Sequence, residues 1–120
     1  AYVEAGADAI FPEGLESEEE FAAFRAALDV PLLANMTEFG KTPIIPAERF
    51  AALGYNLVIF PMTAFRVMLA AVGETYAELK RSGTQSELLD RMRTRQELYE
   101  LIDYMSFDRL DRDLSERFPT

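Results

Sequence analysis

At 120 residues and 49% hydrophobic, the chain has room for one compact domain and too little for most two-domain arrangements. Cysteine and histidine are both absent, which excludes disulfides, thiol nucleophiles, zinc fingers and any triad built on an imidazole base within these residues. A formal net charge of −9 runs against a nucleic-acid partner, whose phosphates select a basic surface, and fits a soluble cytoplasmic protein.

No stretch approaches the roughly 20 consecutive apolar residues of a membrane span, and no charged-then-apolar signal segment opens the chain. The first residue is Ala1 rather than Met, and Ala1 to Ala5 reads as a helix already in progress, stopped at Gly6. This opening predicts a C-terminal piece of a longer protein. Asp8 to Phe11 is a short apolar run closed by Pro12-Glu13-Gly14, a strand followed by a turn. Ser17-Glu18-Glu19-Glu20 then matches a capping box, with acidic residues at the positive end of the helix dipole. Phe21, Phe24 and Leu28 follow at spacings of three and four, giving that helix one apolar face.

Pro31 to Pro43 is the stretch around which the chain is organised. Leu32 and Leu33 read as a buried strand that runs into uncharged hydrogen-bonding side chains, Asn35, Thr37 and Thr42, with Gly40 and Pro43 shaping a loop. Pro46 to Leu53 reads as a short helix with proline in its first turn and Gly54 past its end. Leu57-Val58-Ile59-Phe60 is the third strand, and its unbroken apolar run predicts burial on both faces, as in a parallel sheet. Thr63 to Arg81 is the longest helical pattern, with Phe65, Met68, Leu69, Val72, Tyr76 and Leu79 expected as core packing and Gly83 as a stop. Thr94-Arg95-Gln96-Glu97 is a second capping box, leading into one helix whose stripe is Leu98, Leu101, Ile102 and Met105. Asp108 to Phe118 is highly charged, a peripheral helix or tail.

The expected fold class is therefore α/β: three strand-helix units of the kind that form a (β/α)8 TIM-type barrel, followed by C-terminal helices. Residues 1–82 would belong to the barrel and 83–120 to a helical segment. In such a barrel functional groups lie at the C-terminal ends of the strands, which here are Glu13, Asn35, Thr37, Thr63 and, one turn on, Arg66. A doubly wound domain is a weaker fit, because neither an acidic phosphoacceptor cluster nor a Gly-rich phosphate loop is visible.

Ala1 to Glu13, Leu33-Ala-Asn-Met-Thr-Glu-Phe-Gly40 and Pro61-Met-Thr-Ala-Phe-Arg66 together resemble the isocitrate lyase and phosphoenolpyruvate mutase superfamily, with Gly83-Thr84-Gln85 and Thr94 to Tyr99 extending the likeness. The methylisocitrate-cleaving branch is the most similar. The resemblance implies a carbon-carbon lyase that converts 2-methylisocitrate to pyruvate and succinate through a Mg2+-stabilised enolate, within propionate breakdown. It implies that this chain is the C-terminal part of the barrel enzyme, with the last three strands, and that the full protein is a homotetramer exchanging C-terminal helices, here Gln85 to Tyr104. The metal-binding aspartates and the catalytic cysteine are expected in an earlier half, so these 120 residues alone are expected to be inactive. Oxaloacetate decarboxylation, phosphonopyruvate or phosphoenolpyruvate mutase-like chemistry, and an inactive barrel fragment acting only in association are the alternatives.

By the same resemblance Glu13, Asn35, Met36, Thr37, Arg66 and Arg95 contact a small tricarboxylate or 2-oxo acid, and Glu13 reaches Mg2+ only through water. Asn35 and Thr37 can donate to a carboxylate without introducing charge, while Arg66 and Arg95 supply bidentate donors. Each also has a plain alternative. Glu13 fits an exposed turn, Asn35 a strand-end cap, Thr37 a loop residue, and Arg95 a surface salt bridge with Glu97 or Glu100. Arg66 near a helix start is mildly unfavourable with the dipole, and that local conflict itself points to function. Glu38 is read as structural, not as an acid-base group.

Overall fold

The computed structural model describes residues 1–118, in two compact units that part between Gly73 and Glu74. The first is built on two parallel strands, β1 (Leu33–Asn35) and β2 (Leu57–Ile59), in the register Leu33 to Leu57, Ala34 to Val58 and Asn35 to Ile59. On the other side of β1, Ile10 forms a single parallel bridge with Leu32, so β1 lies between the two. The expected strand at Asp8 to Phe11 is thus one bridge. Likewise Ala1 to Ala5 forms hydrogen-bonded turns rather than a helix, with Gly6 at φ +103°.

Helix α1 (Glu18–Ala27) precedes β1, and α2 (Ala47–Leu53) links β1 to β2. Their ends follow local chemistry. The Ser17 hydroxyl accepts from the Glu20 N–H at 3.2 Å, whereas the Glu20 carboxylate takes the N–H of Glu16, one residue before the cap, at 2.7 Å. The serine half of the capping box is present, and the glutamate half is displaced by one residue. Gly54 ends α2 at φ +87°, a left-handed position where a side chain would be strained.

Burial along β1 alternates, and this alternation organises the unit. Leu32, Ala34 and Met36 point into a core with Phe21, Ile45, Phe50 and Tyr55, against which Phe24, Leu28, Leu53 and Val58 pack. The three rings meet edge to face at centroid distances of 5.0 to 5.5 Å. Leu33, Asn35 and Thr37 therefore lie on the opposite face, and none of them is buried. The expectation that β2 is covered on both faces does not hold in this chain: Val58 packs on the core, but Leu57 is 59% exposed. Helices α1 and α2 cover one face of the sheet only.

Helix α3 (Thr63–Ser82) matches its expected span and stops before Gly83, at φ +70°. Its apolar stripe is not core, however. Phe65, Met68, Leu69, Val72, Tyr76 and Leu79 are all exposed among the described residues.

In the second unit a 3-10 turn, Ser86–Arg91, buries Leu88 and precedes α4 (Arg95–Leu101) and α5 (Tyr104–Arg117). Both halves of the Thr94–Glu97 capping box form, at 3.2 and 2.8 Å. The stripe expected on one helix is split, because Asp103 adopts φ +49° and breaks the chain direction between Ile102 and Tyr104. Tyr99 and Tyr104 stack across the break at 4.4 Å. No helix among the described residues is long and apolar enough to cross a membrane.

Candidate active site

The side chains with unexplained polarity gather where β1 and β2 end. The sheet finishes with the Met36 N–H donating to the Ile59 carbonyl at 2.9 Å, after which both chains turn away. Asn35 is the last residue of β1, on the face away from the core, and its Oδ1 is enclosed with no hydrogen-bond partner among the described residues. A half-turn of the amide exchanges Oδ1 and Nδ2, so the same enclosed position presents an acceptor or a donor. An unpaired enclosed amide is costly in a folded protein and is a reason to look for a ligand.

Thr37, two residues on, shares that face and is half-buried. Met36 between them turns the other way: its side chain is 2% exposed in the core, and its sulfur faces the Ile45 N–H at 3.5 Å. The Met36 side chain therefore does not share the face of Asn35 and Thr37. Thr42 is a loop anchor, its hydroxyl donating to the Leu15 carbonyl at 2.7 Å. Glu13 stands exposed after the buried Pro12.

Arg66, in the first turn of α3, is 41% exposed but engaged on one side. Its Nε lies 3.3 Å from Oε2 of Glu38, and its guanidinium rests over the Phe39 ring at 5.1 Å. The Thr63 hydroxyl donates to the other Glu38 oxygen, Oε1. Glu38 Oε2 is enclosed and makes no aligned hydrogen bond, so its contact with Arg66 is an ion pair. The Thr63 hydroxyl, ahead of the residue's own backbone N–H and with the Arg66 charge adding to both, holds the Glu38 carboxyl below its ordinary range against the opposing effect of burial. A carboxylate held ionised is unsuited to act as a general acid near neutral pH. Phe39 adopts φ +63° while its ring is 90% exposed, a strained backbone position at the tip of the strand-end loop.

Arg95 opens α4 in the second unit, lining a depression with Tyr99 and Met105. The surface pairs available to it by spacing are otherwise engaged: Glu97 pairs with Arg93 at 3.1 Å and Glu100 accepts from Gln96 at 3.0 Å. Sequence reasoning missed the grip of Glu38, Thr63 and Phe39 on Arg66. A signal was present, since Thr63 and Arg66 lie three apart on one helical face and so address the same neighbour. Two further polar ties were also missed: Asn56 Oδ1 accepts from the Leu32 N–H at 3.1 Å, and Arg25 donates to the Val30 carbonyl at 3.0 Å, closing the turn after α1.

Among the described residues no three carboxylate, imidazole or thiol side chains converge as a metal site would require. The donor set is one of amide, hydroxyl and guanidinium groups, suited to an organic carboxylate.

The chain is 50% identical over 116 residues to the 2-methylisocitrate lyase of Aeropyrum pernix, an alignment covering 97% of this chain and 38% of that enzyme. Its backbone is similar to that of 2,3-dimethylmalate lyase, a member of the PEP mutase/isocitrate lyase superfamily, at a TM-score of 0.79 and 34% identity over 93% of this chain and 39% of the other. It is also similar to phosphonopyruvate hydrolase, solved with oxalate and Mg2+, at a TM-score of 0.72 and 29% identity over 99% of this chain and 41% of the other. The chain thus spans about two fifths of the length of these relatives. The phosphoenolpyruvate phosphomutase family model matches residues 1–80, two thirds of the sequence, and the chain belongs to that family.

Proposed function

We propose that this chain is the substrate-binding wall of a carbon-carbon lyase of the methylisocitrate type, completed by further chain that carries the acid-base group. The observation that carries the reading is the enclosed amide atom of Asn35, unpaired among the described residues, at the end of a parallel strand on the face it shares with Thr37. With the amide turned so that Nδ2 takes the enclosed position, it would donate to a substrate carboxylate. In cleavage of 2-methylisocitrate the hydroxyl proton is lost, the adjacent carbon-carbon bond breaks to give pyruvate, and the bonding electron pair passes to the succinate half. There it spreads into a carboxylate as an enolate until a proton arrives. Donors aimed at that carboxylate gain strength as its charge rises.

In this reading Asn35 and Thr37 donate to one carboxylate and Arg66 takes another end-on. Met36 fixes the strand end between the donors, and Arg95 supplies a further cation. Glu13 is assigned to a water on the metal. The relatives' chemistry favours a hard dication such as Mg2+, but the described residues do not form its site, so no step is assigned to it within this segment. The same reading makes the complete protein a cytoplasmic homotetramer in propionate breakdown, with barrel strands from the first unit and exchange of Gln85 to Tyr104 between subunits. The exposed apolar residues Leu98, Leu101, Ile102 and Met105 support such an exchange.

The test is kinetic. In the full-length chain that carries this segment, Asn35→Ala and Arg66→Ala should each lower kcat/KM for 2-methylisocitrate by about a hundredfold, the order associated with loss of one transition-state donor. Unchanged kinetics in both variants would refute the assignment. A second reading, chemistry on a 2-oxo acid such as phosphonopyruvate or oxaloacetate, is favoured by the likeness to phosphonopyruvate hydrolase, and turnover of those acids in preference to methylisocitrate would establish it.

A further inference from the structure

We propose that Glu38 is a positioning residue, which together with Thr63 and Phe39 holds the Arg66 guanidinium by its Nε edge so that its outer fork is presented to a substrate carboxylate. The proposal rests on the reading of Arg66 as a substrate ligand and adds the means by which that ligand is oriented.

An arginine side chain is long and rotamer-rich, and ordering it on substrate binding costs affinity unless the protein has already ordered it. Three contacts do so here. Glu38 Oε2 lies 3.3 Å from Nε as an ion pair, drawing that edge of the planar group toward the carboxylate. The Phe39 ring centroid lies 5.1 Å from the guanidinium carbon, a cation–π contact that adds a second hold on the group. The Thr63 hydroxyl binds the second oxygen of Glu38 and so prevents the carboxylate from swinging away. The partners of Arg66 among the described residues are this carboxylate and this ring, and neither occupies Nη1 or Nη2 with a hydrogen bond. A guanidinium gripped at Nε still has its two Nη atoms for an end-on, bidentate pair with a carboxylate. The strain at Phe39, φ +63°, supports the same conclusion: the loop adopts a disfavoured backbone angle while its ring lies over Arg66 instead of in the core.

The charge balance is also that of a positioning pair. The enclosed Glu38 oxygen faces the arginine without an aligned hydrogen bond, so the pair orients the cation and leaves its donors for a second anion. Thr63 and Arg66 sit one turn apart on α3, so one helix carries both the positioned cation and the group that steadies its counter-ion.

The experiment uses the full-length chain with 2-methylisocitrate. Glu38→Gln removes the charge and keeps the shape, and it is expected to raise KM about tenfold, the scale associated with losing a partner that orients a ligating side chain. A merely structural role would instead lower the folded fraction, reducing kcat at unchanged KM. Arg66→Ala alone should lower kcat/KM about a hundredfold, and the double variant Glu38→Gln/Arg66→Ala should be no worse than Arg66→Ala. Multiplication of the two effects to about a thousandfold would overturn the proposal, since Glu38 would then act independently of Arg66. So would an unchanged KM in Glu38→Gln beside a defective Arg66→Ala. An Arg66→Ala variant with normal kinetics would refute the substrate-ligand reading itself, a separate outcome. If Glu38→Gln does not fold, Thr63→Val decides: a raised KM supports the proposal and an unchanged KM overturns it.

Discussion

Replacing Asn35 with leucine should separate stability from function. Asn35 closes β1 with one amide atom enclosed and unpaired among the described residues. Leaving such a group without a hydrogen bond costs about 1–3 kcal/mol relative to water. Leucine has a similar branched shape and no polar atom, and its neighbours in the sheet on that face are Leu33 and Ile59. Asn35→Leu should therefore stabilise the ligand-free protein by about 1 kcal/mol or more, an increase of roughly 2–8 °C in Tm. The same variant should lose about a hundredfold in kcat/KM, because the donor is gone. Thermal unfolding followed by circular dichroism without substrate, together with steady-state turnover, measures both. A Tm several degrees lower with normal turnover would show that Asn35 is a structural amide, and the argument from its unpaired atom would fail.

Two further tests concern the core that supports this strand. Tyr55 is buried and donates to the Phe21 carbonyl at 3.1 Å, so Tyr55→Phe should cost about 1 kcal/mol at neutral pH. Burial pushes the Tyr55 phenol above its ordinary value, with the Arg25 charge opposing. The folded state therefore favours the neutral phenol: this stability is fully present below about pH 10 and is lost as pH rises through the folded value, so alkaline unfolding should flatten in Tyr55→Phe. An unchanged alkaline limb would remove Tyr55 from that role. Phe50→Ala deletes a ring at 0% exposure between Phe21 and Tyr55 and should cost about 3–5 kcal/mol in denaturant unfolding. A loss under 1 kcal/mol would mean that the site collapses around the deletion.

Local chemistry was legible in the sequence wherever it depends on a few neighbouring residues. The spans of α1, α2 and α3, the stops at Gly54 and Gly83, and the capping box at Thr94 all follow from caps, left-handed glycines and helical periodicity. Family motifs marked the strand-end loop around Asn35 and the start of α3. What an apolar stripe packs against is not written in the stripe. Phe65, Met68 and Leu69 have helical spacing whether or not anything covers them, and Leu57 has a strand pattern whether its face is covered or open. Nor does the alternation that sends Met36 inward and Asn35 outward become certain until the register of β1 against β2 is set. The grip on Arg66 joins Glu38 to residues 25 and 28 positions further along the chain. The sequence by itself determined which residue types and turns were available at the strand ends, because caps, glycine angles and helical period act over one or two turns. Only the tertiary structure decided that Glu38, Phe39, Thr63 and Arg66 form one cluster and that one amide atom of Asn35 is enclosed without a partner among the described residues, because both depend on how distant segments meet.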